Sequence, residues 1–266
     1  MIKKTNNTEY KARNNTDYKT RRVKEKEMIF GIRSVIEAID AGKTIDKVLL
    51  RRDMSSALAR ELAGKLQATP THIQRVPLEK LNQLTDKNHQ GVIAFISPID
   101  FCKVEDIVPM VYEQGRTPLL VALDGITDMR NFGAIARTCL AAGVDALIIP
   151  ASGGVAINGD AVKTSAGALH RLPICKSANM PATLDFLRDS GLRVVAVSEH
   201  SSTICFDTPL TEPLVLVLGS EDNGISEACL RRATDRVAIP MSGEIESLNV
   251  SVAAGVLIYE VIRQRR

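Results

Sequence analysis

The segment Ile239-Pro-Met-Ser-Gly-Glu-Ile-Glu-Ser-Leu-Asn-Val-Ser251 joins an apolar strand end, Val237-Ala238-Ile239, to an apolar helix that begins near Leu248. Small-residue turns at Ser242-Gly243 and Glu246-Ser247 leave backbone N–H and C=O groups free, and Met241 and Leu248 set apolar surface beside them. A flat heterocycle with several hydrogen-bonding edges fits that combination. Gly219, in Leu216-Val-Leu-Gly-Ser-Glu-Asp-Asn-Gly-Ile-Ser226, lets the main chain approach a ligand closely, with Leu218 before it and the Glu221 carboxylate two residues after. In Leu123-Asp-Gly-Ile-Thr-Asp-Met-Arg-Asn-Phe-Gly-Ala-Ile-Ala-Arg137, Asn131 is a good helix cap. Arg137, six residues further on, is a permanent cation able to grip an anion through two parallel hydrogen bonds. Read alone, Arg137 would be a surface arginine paired with Asp128 or Glu221. Ser247 and Asn249 offer further polar contacts, and Asn249 could equally cap the last helix.

The elements that must position these residues form an α/β pattern. Short apolar runs at 118–123, 146–149, 194–197 and 214–218 read as buried parallel strands. Helical segments fall near 132–142, 161–169, 180–190, 227–233 and 248–263, which makes the whole doubly wound. Open sheets of this kind bind ligands beyond the carboxyl ends of their strands, and all three segments above begin at such ends. The first strand runs into Asp124-Gly-Ile-Thr-Asp-Met129, so the Gly-x-Gly-x-x-Gly fingerprint of a dinucleotide site is missing.

Upstream, helix-like spacing of Ile32, Val35, Ile36 and Ile39 ends at Gly42, and helices at 57–66 and 78–84 alternate with strands at 47–51, 72–76 and 91–96. That is the pattern of a small α/β/α unit. The expected organisation is a basic tail over 1–26, the small unit over 27–98, a linker with a short helix near 104–113 over 99–116, and the larger unit over 117–266. The tail holds nine Lys/Arg against three Asp/Glu, a net +6, whereas the remaining 240 residues carry 25 basic and 28 acidic groups. Such a tail suits RNA phosphates, or simply a solvated arm. Five scattered cysteines (102, 139, 175, 205 and 229) form no Cys-x-x-Cys pair, fit a reducing cytosol and offer no zinc spacing. No apolar run is long enough to cross a bilayer, and the polar N terminus does not read as a secretory signal. With no tryptophan and few other aromatics, stacking platforms for bases are scarce.

Taken in order, the three segments resemble the motifs of the SpoU (TrmH-like) family of RNA ribose 2′-O-methyltransferases, over 118–260. Phe30-Gly-Ile-Arg-Ser-Val-Ile-Glu-Ala38 and His89-Gln-Gly-Val92 resemble the small substrate-binding domain that many members carry. The likeness is greatest to bacterial enzymes that methylate a guanosine ribose of 23S ribosomal RNA. It implies a SPOUT-type α/β domain whose C-terminal segment forms a deep trefoil knot, preceded by an L30e-like α/β/α domain. It also implies S-adenosylmethionine as methyl donor without a metal, RNA (23S rRNA foremost) as partner, a homodimer, a cytoplasmic location, and neither DNA nor membrane as partner. Arg137 would engage the target phosphate and lower the hydroxyl pKa; with a guanidinium pKa above about 12 it suits a clamp better than a base. Asn131, Glu221, Asn249 and Ser247 would complete the catalytic set, with Glu221 orienting Arg137 or Asn131. Leu218, Gly219, Ile239, Met241, Leu248 and Ser251 would hold the cofactor. Met129 stands where the family usually has proline, which removes a fixed φ from the turn. Lys163-Thr-Ser-Ala-Gly-Ala168 matches a further family segment whose small residues suit close packing, with Lys163 able to face RNA; His89 reads as a turn residue that could also touch RNA. A tRNA substrate, a catalytically silent RNA-binding assembly factor, and an unrelated α/β nucleotide enzyme are the competing readings.

Overall fold

The computed structural model describes residues 28–67, 71–155, 157–243 and 247–266. The basic tail and the Glu246 half of the expected Glu246-Ser247 turn lie outside the described residues.

Seven elements build the first sheet and its helices: β1 (Met28–Phe30), α1 (Ile32–Asp40), β2 (Ile45–Arg51), α2 (Ala57–Gln67), β3 (His72–Val76), α3 (Leu78–Asn82) and β4 (Val92–Ile96). The strand order is β1-β4-β2-β3, with β2 and β3 parallel and the other pairs antiparallel. Alternation along the central strands explains the layers. Val48, Leu50, Val92 and Ala94 pack with α1 and α2 on one face, while Leu49 and Ile93 pack with Leu81 of α3 on the other. His89 is buried in the turn before β4. Its Nε2 bonds the Asn82 side chain at 2.8 Å and its Nδ1 accepts from Gly91 N–H at 3.0 Å, so both ring nitrogens serve the turn.

The segment expected as a linker contributes α4 (Val104–Glu113), which buries Val104, Ile107, Val108 and Val111 against the second sheet. Lys176 fastens the first sheet to the second. Its side chain is only 5% exposed, bonds Asp46 Oδ1 of β2 at 2.5 Å and lies over the Phe101 ring at 4.1 Å.

The second sheet comprises β5 (Leu119–Asp124), β6 (Ala146–Pro150), β7 (Ile174–Ser177), β8 (Arg193–Val197), β9 (Leu214–Gly219) and β10 (Asp235–Val237). All its strands are parallel, in the order β10-β8-β9-β5-β6-β7. The connecting helices are α5 (Met129–Ala142), α6 (Gly159–Thr164), α7 (Met180–Asp189), α8 (Glu227–Leu230) and α9 (Val250–Gln264). Residues 119–123 and 214–218 are buried throughout, because β5 and β9 are covered on both faces. Leu119, Val121, Leu214 and Leu216 meet α5 and α9; Leu120, Ala122, Val215 and Val217 meet α4 and α7. This is the α/β architecture that the apolar runs imply. The expected helix over 161–169 is interrupted: α6 stops at Thr164, and Ala166 adopts φ 51 before a short 3-10 turn at Ala168–His170. Gly133 explains the close approach of α5 and α6, since a Cβ there would lie 2.7 Å from Thr164 Cγ2. Among the described residues no helix is long and apolar enough to cross a membrane.

Candidate active site

Three loops meet beyond the carboxyl ends of β5, β9 and β10. The first ends in Asp128, which caps α5 by accepting from the backbone N–H groups of Arg130 and Asn131 at 2.8 and 2.9 Å. Asp128 thus takes the capping role expected of Asn131, and the Asn131 side chain is left for other work. Met129 occupies the first helical position, where proline is favoured mainly for its preset φ. With Asp128 holding the turn, its absence costs little.

The second loop folds back on β9. Ser220 and Gly224 exchange backbone hydrogen bonds at 3.0 and 2.9 Å, with Gly224 at φ 63. A Cβ on Gly219 would overlap the Gly224 and Ile225 backbone, so glycine is required here by the protein's own turn rather than by a ligand's approach. Asp124, the last residue of β5, ties this loop to its strand by accepting from Ser226 N–H at 2.7 Å.

The third loop leads into α9, and Asn249 is its cap, accepting from Ser251 N–H at 3.0 Å and Ser251 Oγ at 2.6 Å. Its amide nitrogen points the other way, donating to Glu221 Oε1 at 2.6 Å and to Asn131 Oδ1 at 3.0 Å. Asn131 Nδ2 donates to the same Glu221 oxygen at 3.0 Å. One residue from the first turn of α5 and two from the loops after β9 and before α9 therefore close a triangle of hydrogen bonds. Asn249 therefore caps α9 with its oxygen while its nitrogen joins the cluster of Asn131 and Glu221. Ser251, expected at the cofactor, instead secures Asn249.

Beside the triangle opens a cleft of about 260 Å³. Leu218, Gly219, Ile239, Met241 and Leu248 line it as expected, with Ser247, Glu221 and Asn249 at its polar end. Val197, Ser198 and Glu199, from the end of β8, form a wall outside all three motif segments. The one signal for them was position, at a strand's carboxyl end in a doubly wound sheet. Arg137 stands apart. It is exposed and makes neither a hydrogen bond nor an ion pair among the described residues, so neither Asp128 nor Glu221 holds it. Six positions along α5 turn it about 120° from Asn131 and move it about 9 Å down the axis. Lys163 is also exposed, at the end of α6.

Apolar walls, free main-chain edges and a carboxylate at one end suit a nucleoside carrying a cationic sulfur. Burial pushes the thiols of Cys139 and Cys175 up to about 12 and that of Cys229 to about 11, and no cysteine lines the cleft. A thiolate nucleophile has no support here. Among the described residues no group of three or more His, Cys, Asp or Glu side chains could hold a metal ion.

The SpoU rRNA Methylase family model matches residues 118–259, more than half of the chain. The chain belongs to the SpoU family. A second model, RNA 2′-O ribose methyltransferase substrate binding, matches residues 28–102. Among curated relatives of this SpoU protein is a putative TrmH family tRNA/rRNA methyltransferase of Staphylococcus saprophyticus, 34% identical over 91% of this chain and 97% of the relative. The AdoMet-bound rRNA methyltransferase of Sinorhizobium meliloti superposes with a TM-score of 0.56 at 26% identity, over 89% of this chain and 87% of that one. The TrmH/SpoU tRNA modifying enzyme of A. aeolicus gives a TM-score of 0.52 at 32% identity, but over 60% of this chain and 83% of its own. This SpoU protein is an RNA ribose methyltransferase with S-adenosylmethionine as its donor.

Proposed function

We propose that the enzyme methylates the 2′-hydroxyl of a guanosine in 23S ribosomal RNA, with the donor in the cleft and the acceptor ribose at the triangle. The observation that carries this reading is the Asn131–Glu221–Asn249 cluster at the polar end of a nucleoside-sized cleft. When bound, S-adenosylmethionine supplies an activated methyl group. The chain's own residues then position the acceptor, which is where much of the barrier reduction in such a displacement arises. Glu221 Oε1 already serves two amides, which leaves its second oxygen without a partner among the described residues and available to the acceptor. Arg137 grips the phosphate next to the target ribose and stabilises charge that develops on the hydroxyl. Leu218, Gly219, Ile239, Met241 and Leu248 hold the adenosine, and Ser247 adds a hydroxyl at the rim. The knotted threading of the last segment belongs to the same proposal, supported by the loops after β9 and β10 sharing one cleft.

Ribosomal RNA is favoured over tRNA by the substrate-binding unit at 28–102. The S. meliloti rRNA methyltransferase aligns over 89% of the chain, whereas the A. aeolicus tRNA enzyme aligns over 60%. A homodimer is supported by α9, where Val252 (51% exposed), half-buried Val256 and Tyr259 (50% exposed) form one stripe while Leu257 is buried in the core. Arg137, turned away from Asn131 of its own chain, fits a site completed across such an interface. Five free cysteines support a reducing cytoplasm.

Two measurements test the reading: titration calorimetry with S-adenosylmethionine, and mapping of ribose methylations lost from total RNA when the gene is deleted. Sub-millimolar binding and loss of one guanosine methylation in 23S rRNA are expected. A loss confined to tRNA overturns the substrate, and absence of binding together with an unchanged methylation map overturns the enzyme in favour of a silent RNA-binding factor.

A further inference from the structure

We infer that Glu199 is a cofactor-binding residue that reads the ribose diol of the methyl donor, an inference that rests on the cleft holding S-adenosylmethionine as proposed above. Glu199 lines the cleft two residues beyond β8, the strand paired with β9. Its backbone is fixed and its side chain is not. Ser198 N–H donates to Val237 O at 2.9 Å, Ser201 N–H donates to Ser198 O at 3.1 Å, and Ser201 Oγ donates to Arg236 O at 2.8 Å, so the turn carrying Glu199 is anchored to the strand end. The carboxylate, 48% exposed, lies 3.6 Å from His200 Nε2, and that imidazole is 87% exposed. An exposed contact of that length between adjacent residues holds neither group.

The chemistry of the cleft leaves one role for such an acceptor. The sulfur of the donor must lie at the polar end, beside Glu221 and Asn249, where the acceptor ribose arrives. Ile239, Met241, Leu248 and Val197 offer apolar contact to the adenine. Between sulfur and adenine the donor presents a pair of vicinal hydroxyls, and a carboxylate accepts two O–H groups at once. Dinucleotide-binding sheets place an acidic residue at a strand's carboxyl end for the same purpose.

Calorimetry on the full-length protein tests this with S-adenosylhomocysteine and its 2′-deoxy and 3′-deoxy analogues, on the parent, Glu199→Gln and Glu199→Ala. The parent should lose about 10- to 50-fold in affinity when a hydroxyl is removed, and Glu199→Ala should lose a similar factor towards the intact ligand but little more towards the deoxy forms. Glu199→Gln, with one acceptor oxygen left, should fall between them. Equal binding of ribo and deoxy ligands by the parent overturns the inference, as does undiminished discrimination by Glu199→Ala. Failure of the parent to bind both S-adenosylmethionine and S-adenosylhomocysteine overturns the cofactor cleft itself, a result distinct from either.

Discussion

Replacing Glu221 by alanine removes the acceptor that two asparagine side chains share. Its Oε1 receives Asn131 Nδ2 at 3.0 Å and Asn249 Nδ2 at 2.6 Å, both charge-assisted. Such bonds contribute about 1.5–3 kcal/mol each when shielded, but Glu221 is exposed and water replaces part of what is lost. Half of the shielded sum, roughly 1.5–3 kcal/mol, is the expected loss in positioning, or about 10- to 150-fold in rate. Glutamine keeps one oxygen to accept both bonds and loses only the charge. That change is worth about 1 kcal/mol, or roughly fivefold. The assay is single-turnover transfer of labelled methyl from saturating S-adenosylmethionine to RNA purified from a strain lacking the enzyme. Thermal unfolding should move little in either variant, because an exposed rim side chain outside the core is changed. The reasoning is refuted if Glu221→Ala stays within twofold of the parent, or if glutamine is worse than alanine.

Asn249→Asp keeps the cap of α9 but sets a second carboxylate against Glu221; transfer should fall at least about 100-fold with the melting temperature nearly unchanged, whereas Asn249→Ala should also lose about 1 kcal/mol of stability by denaturant titration. Arg137→Ala should lower single-turnover transfer by about 100- to 1000-fold while the cofactor Kd by calorimetry and the urea midpoint hold, since no partner among the described residues loses a contact. Lys176→Ala breaks a pair with one member almost fully buried, and about 2–3 kcal/mol of stability should disappear in a urea titration, less than for a fully buried pair because Asp46 keeps 19% exposure. Glu260 is buried on α9, and hydrogen bonds from Arg263 first, then Gln264, hold its carboxyl below the usual range. A depressed carboxylate stabilises the fold above its unfolded pKa and loses that contribution as pH falls through the folded value. Glu260→Gln should therefore be less stable than the parent at pH 7, with the gap closing in unfolding titrations as pH drops below about 4.

The long apolar runs were legible because two-sided burial of β5 and β9 demands them. Ile174-Cys-Lys-Ser177 of β7 was not, since an edge strand four residues long needs only a partner register with β6. The three-residue β1 is too short to show a period. α5 starts three residues before the expected position because Asp128 and Asn131 are both good caps, and only the fold shows which one meets the free N–H groups. The candidate site residues were legible as motifs, but their mutual contacts were not. Asn131, Glu221 and Asn249 are 90, 28 and 118 positions apart pairwise, and no local pattern encodes a hydrogen bond across such separations. Position relative to strand ends, by contrast, is encoded, and it would have found Asp124 and Glu199.

Asn249 joins fold and site in one side chain: its oxygen caps α9, and its nitrogen completes the triangle. The helix cannot shift at its first turn without carrying the amide away from Glu221. Asp124 acts similarly on the second loop through Ser226, and Asp128 on the first through the α5 cap. The geometry of the Asn131–Glu221–Asn249 cluster is thus tied to ends of elements whose other faces are packed in the core. What the protein leaves unpaired is equally informative. The second oxygen of Glu221, the Ser247 hydroxyl and the Arg137 guanidinium have no hydrogen-bond partner among the described residues, and all three residues are exposed. Rigid backbone behind open polar groups is the arrangement expected where an RNA chain, delivered from solvent, must supply the missing partners and pays little for ordering the enzyme.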